Sequence, residues 1–285
     1  MKKILQRLLV FFIGIPVLVT LVILLPGYNH LCLNLLTVLV SSMGAMEFQN
    51  ILAQKKLIIS PPEAAILGGS VPALATAAVS LNFSKIGISV IFMLGISWLF
   101  LSRILSSQEK QDLFISRIAA GFSVIIYPGL FVSWIIPMAL LPKPGMSIIL
   151  YLLIVFLNDS SAWAAGMLFG KGNQGVIPAS PNKSIAGFVT GIVASVATGL
   201  LGVHLFPDAF SSRVLPPLAA GALLGFATGF AAIVGDLGES VLKRSAGVKD
   251  SGVLMPGRGG ILDSIDSLSM AAPVFYMAFR FLFVS

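Results

Sequence analysis

GDLGESVLKRSAGVKDSGVLMPGRGGILDSIDS, residues 235–267, holds five of the chain's eleven acidic residues and four of its eighteen basic ones. Apolar sequence lies on both sides, and charge concentrated between two apolar segments costs too much in a bilayer to be incidental. If the helix entering the stretch continues through it, Asp236, Glu239 and Lys243 fall at i, i+3 and i+7 on one face. Ser240 and Arg244 then lie on the adjoining face. Pro256-Gly257-Arg258-Gly259-Gly260 breaks the helix and Ile261 opens the next apolar run. Gly259 and Gly260 are therefore expected at a helix N-terminus, where bare amides and the helix dipole favour phosphate. Asp263 and Asp266 follow three residues apart on one face, and a cation between them and a phosphate would reconcile the like charges. Carboxylates on a hard metal, metal on phosphate oxygens and Lys/Arg on the remaining charge are the parts of phosphoryl or nucleotidyl transfer.

Working outward, 57% of the 285 residues are hydrophobic and 10% charged, with a mean hydropathy of +0.99. These values place the chain among all-α polytopic membrane proteins. The single cysteine, Cys32, excludes an intramolecular disulfide and a Cys-based metal site. His30 and His204 are expected in short loops away from the charged stretch, which leaves Asp, Glu or the substrate itself as proton acceptor. The net charge of +7 is explained by where the basic residues fall and does not call for nucleic acid.

Apolar runs long enough to cross a bilayer fall at 5–25, 31–52, 63–81, 85–103, 117–141, 146–170, 185–206, 214–235 and 262–283, about nine spans. With the N-terminus inside and alternating loops, fourteen Lys/Arg lie on the cytoplasmic side and four outside: Lys85, Lys143, Arg213 and Arg280. That places the chain in the cytoplasmic membrane, with every charge of the 235–267 stretch facing the cytoplasm and Ser285 outside. Residues 1–145 read as scaffold helices and 146–285 as the half carrying the polar loops. Pro72, Pro128 and Pro137 are expected to kink their spans. Gln54-Lys55-Lys56 with Glu47, and Arg103 to Arg117, read as solvated loops.

Within the sixth span, Asn158-Asp159-Ser160-Ser161 puts a carboxylate into an apolar helix at about 2.5–3.5 kcal/mol on insertion scales, so Asp159 is a functional candidate. The polar loop after it carries Phe169-Gly170-Lys171 and Pro178-Ala179-Ser180-Pro181-Asn182-Lys183-Ser184. Small residues then recur every fourth position, Gly187/Gly191/Ser195/Gly199 and Gly221/Gly225/Gly229, as seams for close helix packing. No P-loop and no dinucleotide-binding glycine motif occurs.

The run Ser240-Val-Leu-Lys243-Arg244, Lys249-Asp250-Ser251-Gly252, Pro256-Gly-Arg-Gly259-Gly260 and Asp263-Ser-Ile-Asp266 resembles the C-terminal motif of the phosphatidate cytidylyltransferases, also called CDP-diacylglycerol synthases. The loop after Asp159 resembles an upstream motif of the same family. Four positions depart: Arg258 stands for a histidine, Ser264 for an arginine, Asn182 for a lysine and Ala186 for a glutamate. The resemblance implies transfer of the cytidylyl group of CTP to phosphatidate, giving CDP-diacylglycerol and pyrophosphate. It implies Mg²⁺ on Asp236 and Asp263, with Asp159 and a second cation as further candidates. Lys243 and Asp266 complete the expected catalytic set. Lys171, Ser180, Lys183, Arg244, Lys249, Asp250, Arg258, Gly259 and Gly260 are the expected substrate-binding residues, with Lys243, Arg244 and Lys249 on the triphosphate or the phosphatidate phosphate. A CTP-dependent lipid kinase, a relative without turnover, an ion-coupled transporter and a CDP-alcohol phosphotransferase are the competing readings. The last lacks its upstream D-G-x-x-A-R run. The compensating pair Arg258 and Ser264 is expected to keep the enzyme active, and a homodimer is the expected assembly if the chain associates.

Overall fold

In hydrocarbon every backbone N–H and C=O needs a partner within its own segment, which restricts apolar runs to helix. The computed structural model describes residues 2–104, 113–212, 214–255, 257 and 259–284, with the backbone alone at 2–12, 85–88, 91, 99, 102 and 103. Among these residues it is all-helical, with two isolated bridges, Gln174 with Ser184 and Met255 with Gly259. The helices are α1 (Lys2–Leu24), α2 (Gly27–Ala53), α3 (Pro61–Ser80), α4 (Lys85–Ile104), α5 (Phe114–Val124), α6 (Pro144–Phe169), α7 (Ile185–Leu205), α8 (Pro217–Ser245) and α9 (Leu262–Phe283). Each of the nine apolar runs thus falls on a helix. Six segments among the described residues are long and apolar enough to cross a membrane: Gly27–Ala53, Pro61–Ser80, Phe114–Leu140, Pro144–Phe169, Ile185–Leu205 and Pro217–Ser245.

The chain forms two compact units, Met1–Pro137 with Ser245–Ser264, and Met138–Arg244 with Ile265–Ser285. The loop and first helical turn at 245–264 thus group with the N-terminal helices.

In the first unit α2 packs along α3. Ser60 caps α3, its Oγ accepting the Glu63 N–H at 3.4 Å, and Pro61 occupies the first helical position, where no N–H is missed. The three prolines expected to kink their spans have three different settings. Pro72 lies inside α3, with Thr76 Oγ1 donating to its carbonyl at 2.8 Å. Pro128 lies in a π-helical turn, Ile125–Phe131, and Pro137 in a 3₁₀ segment, Ile136–Leu140. Where the register changes, the Ser41 hydroxyl sits between the Pro128 and Gly68 carbonyls, at 2.6 and 2.9 Å. Arg117, expected in a solvated loop, is instead on α5 and pairs with Glu63 of α3. The histidines are at helix ends: His30 is buried in a left-handed turn opening α2, and His204 lies in the last turn of α7.

In the second unit the small-residue seams join α7 to α8. A Cβ at Gly225 would meet the Ser195 carbonyl oxygen, and one at Gly199 the Gly221 carbonyl oxygen. Asn158 of α6 closes the same seam, donating to Ser195 Oγ at 2.8 Å and to the Gly229 carbonyl at 3.4 Å. The opposite face of α8 is an exposed apolar stripe, Leu223, Phe226, Phe230 and Val234, as suits a helix facing lipid. Gly225→Ala is expected to cost about 1–3 kcal/mol, because its neighbour is backbone and cannot turn aside. The measurement is the thermal midpoint in detergent. Gly238→Ala, whose Cβ would meet nothing within 4 Å, is the control and should hold or raise that midpoint.

Candidate active site

In the first unit the loop after α8 is organised by two carboxylates. Asp263, in the first turn of α9, accepts three hydrogen bonds at Oδ2: from the Ser251 N–H at 2.9 Å, the Ser251 hydroxyl at 2.8 Å and the Gly260 N–H at 2.8 Å. Glu47 of α2 reaches the same place. Its Oε2 accepts the Leu262 N–H at 2.9 Å and lies 3.1 Å from Ser251 Oγ. The hydroxyl carries one proton and satisfies one carboxylate at a time, while its oxygen accepts the Asp263 N–H at 3.3 Å. Met255 and Gly259 exchange backbone hydrogen bonds at 2.8 and 3.0 Å, with Gly257 and Gly259 at φ 76° and 111°.

Two expectations change here. Glu47, read as part of a solvated loop, is 5% exposed inside α2. The amides of Gly259 and Gly260 are not bare, since they donate to the Met255 carbonyl and to Asp263. Lys249 and Asp250 are exposed on the loop. Arg258 lies outside the described residues, and Ser264 Oγ donates to the Gly260 carbonyl at 3.1 Å.

In the second unit α8 runs unbroken through Asp236, Glu239, Lys243 and Arg244, as the spacing predicts. Asp236 Oδ2 pairs with the ammonium of Lys183, which comes from the loop before α7. Glu239 is fully buried, and Lys243 Nζ lies 3.2 Å from its Oε2 one turn on. A buried carboxylate needs such a partner to remain charged. Asp266 of α9 is buried and has Glu239, Asp236 and Lys243 in its electrostatic surroundings. Its Oδ1 accepts the Ser267 N–H at 2.6 Å, and Ser267 Oγ donates to Asp159 Oδ1 of α6 at 3.3 Å. Gly235 makes this meeting of α8 and α9 close: a Cβ there would strike the Asp266 carbonyl and stand 2.9 Å from Met270 Cβ.

The Lys183 loop is fixed by backbone and side-chain hydrogen bonds. Ser184 caps α7 by accepting the Gly187 N–H at 3.1 Å, Ile185 N–H donates to Asn173 O at 3.0 Å, and Arg244 Nε reaches the Ala179 carbonyl at 3.3 Å. Ser180 is half-buried in it and Lys171 exposed. The second unit thus gathers Asp159, Lys183, Asp236, Glu239, Lys243 and Asp266. Glu47, Ser251 and Ser267 were not among the expected site residues. A signal for Glu47 was available: it is a lone carboxylate within the apolar run 31–52, the pattern that singled out Asp159.

For Mg²⁺ the donor chemistry fits. This ion binds one or two carboxylates and fills its shell with water and phosphate oxygens. Among the described residues no group of three or more His, Cys, Asp or Glu side chains could hold a metal by itself. Asp236 already receives one cation, the Lys183 ammonium.

Residues 5–282 match the Cytidylyltransferase family. A phosphatidate cytidylyltransferase of Haemophilus influenzae is 38% identical over 139 residues, 47% of this chain and 46% of that protein. One of Thermotoga maritima is 32% identical over 199 residues, 68% of this chain and 69% of that protein. An uncharacterized protein of Escherichia coli, YnbB, is 33% identical over 171 residues, 59% of this chain and 54% of that protein. The matched part spans about half the length of the Haemophilus and Escherichia proteins.

Proposed function

Because the chain belongs to the cytidylyltransferase family, we propose that it is a membrane enzyme transferring the cytidylyl group of CTP to phosphatidate. The phosphate monoester of phosphatidate attacks the α-phosphorus of CTP, a P–O bond forms, and the bond to the β-phosphate breaks to release pyrophosphate. The Lys183–Asp236 pair carries this reading, because it joins the loop that resembles the upstream motif to the carboxylate that the resemblance assigns to Mg²⁺. A phosphomonoester is largely ionised near neutral pH, so the attack needs no strong general base. That suits a polar site in which neither His30 nor His204 takes part.

The side chains have distinct tasks. Lys183 and Lys243 supply positive charge for phosphate oxygens. The ion pairs they form with Asp236 and Glu239 hold the ammoniums in place before substrate arrives. Arg244, Lys249 and Lys171 are further phosphate contacts, with Ser180 and Asp250 as polar contacts beside them. Asp236 and Asp263 are the carboxylates we assign to Mg²⁺, and Asp159 is the candidate for a second cation. When bound, Mg²⁺ withdraws charge from the phosphoryl group and from the departing pyrophosphate. Asp266, held by the Ser267 N–H, lies in the field of Asp236 and shapes it.

Labelled CTP tests the reading in purified, detergent-solubilised protein with phosphatidate. Label from the α-phosphate is expected in the lipid fraction and label from the γ-phosphate in pyrophosphate. Lipid that instead carries the γ-label identifies a CTP-dependent kinase. No incorporation from either position overturns enzymatic transfer.

We further propose nine crossings in the cytoplasmic membrane, with the N-terminus and the loops around Lys171 and Lys249 cytoplasmic. Support comes from the helix on every apolar run and from the one-sided distribution of Lys and Arg. In cysteine-accessibility labelling, positions 249 and 285 are expected to react from opposite sides of the membrane. Reaction from the same side overturns the nine-span arrangement.

A further inference from the structure

We infer that Glu47 is a positioning residue for Asp263, acting on the reaction through the loop it holds. Three observations meet on this carboxylate. First, α2 delivers it into the first unit's interior, where burial of a charge persists only if hydrogen bonds offset the lost hydration. Second, its Oε2 takes the Leu262 N–H and faces the Ser251 hydroxyl. It thereby caps the start of α9 from a helix far away in sequence, in the role an N-cap side chain normally plays from within its own helix. Third, the loop has glycine where Glu47 needs room. A Cβ at Gly252 would meet Glu47 Oε1, Cδ and Cγ and nothing nearer, and one at Gly260 would meet Glu47 Oε2 and Ser251 Oγ.

Ser251 couples the two carboxylates. It stands between Glu47 Oε2 and Asp263 Oδ2, and its own N–H holds Asp263 Oδ2. Glu47 fixes Ser251 and Leu262; those fix the Asp263 side chain and the backbone that carries it. Second groups of this kind, oriented behind a functional carboxylate, commonly matter as much as the carboxylate's own setting. The proposal rests on the reading of Asp263 as a Mg²⁺ ligand only for its kinetic consequences; the loop geometry stands apart from it.

The test uses the full chain in detergent, with two kinds of readout. Amide hydrogen exchange needs no substrate. Glu47→Ala is expected to speed exchange at the described amides of 249–262 while leaving α6 and α7 unchanged. Kinetically, Glu47→Ala should lower CDP-diacylglycerol formation about 30-fold and raise the Mg²⁺ concentration for half-maximal rate about tenfold, as loss of an orienting group does. Glu47→Gln, which keeps an accepting oxygen, should recover the rate to within about threefold. A residue that only held the fold together would lower the amount of active enzyme without moving the Mg²⁺ requirement. Gly252→Ala gives the independent arm. It should impair the natural protein yet add less than about a twofold loss in the Glu47→Ala background, because the three nearest atoms such a Cβ would meet all belong to the Glu47 side chain. Unchanged loop exchange in Glu47→Ala, an unchanged Mg²⁺ requirement, Glu47→Gln as impaired as Glu47→Ala, or equal harm from Gly252→Ala in both backgrounds overturns the inference. A natural protein that incorporates no label refutes the proposed activity. Exchange, and the coupling of Gly252→Ala to Glu47→Ala read as thermal midpoints, still decide the role of Glu47.

Discussion

Asp236→Asn is expected to reduce cytidylyl transfer by about three orders of magnitude while leaving the thermal midpoint nearly unchanged, the size of effect associated with removing a ligand charge from a metal-assisted site. The substitution preserves shape. Its amide oxygen can still accept from Lys183, and the side chain is half-buried, so little packing is disturbed. What disappears is the negative charge. Lys183 then keeps its own charge without compensation and is drawn toward phosphate, so CTP binding should change less than turnover. Lys183→Met is the complementary variant and should weaken CTP binding more than it slows turnover at saturation. Initial rates across CTP and Mg²⁺ concentrations check both. An Asp236→Asn protein that retains a tenth or more of the natural rate at the same Mg²⁺ requirement would show that the carboxylate serves the ion pair alone.

Asp263→Asn should be as damaging to turnover, again on the order of a thousandfold, and in addition should destabilise the first unit. Oδ2 of Asp263 takes two backbone amides and a hydroxyl. An asparagine keeps one accepting oxygen, but its amide group adds two protons to a place already crowded with donors. Buried hydrogen bonds to a charged group contribute about 1.5–3 kcal/mol each, and part of that is lost. The two aspartates are thereby distinguishable: both variants lose activity, and only Asp263→Asn also lowers the thermal midpoint and speeds exchange in the loop. Equal midpoints for the two variants would mean that the hydrogen bonds on Asp263 hold nothing that the fold needs.

Much of this was legible in the amino-acid order. Helices stand on all nine apolar runs because a segment with no water nearby has no other way to satisfy its backbone. Asp236, Glu239 and Lys243 share one helix face because the spacing of 3.6 residues per turn is local geometry. The seams of small residues predicted close approach of α7 and α8, and the Gly199–Gly221 and Ser195–Gly225 contacts are that approach. Resemblance to the family was likewise legible in short motifs, and the family match runs over residues 5–282.

Partnership across long sequence separation was not legible. Nothing in residues 235–267 says that Lys183 occupies Asp236, that Ser267 bonds Asp159, or that Glu47 caps the start of α9. Periodicity describes what a helix turns toward a neighbour, not which neighbour is there. The expectation of bare amides at Gly259 and Gly260 went astray for the same reason. A break before a helix does create unsatisfied N–H groups, but Met255 and Asp263 folded back to take them. The amino-acid sequence by itself determined where the helices lie, which charges must be handled and what chemistry they suit, because hydration cost and helical period act over a few residues. Which carboxylate holds which loop was decided only in the tertiary structure, where segments some two hundred residues apart meet and each buried polar group takes whichever partner the packing leaves within reach.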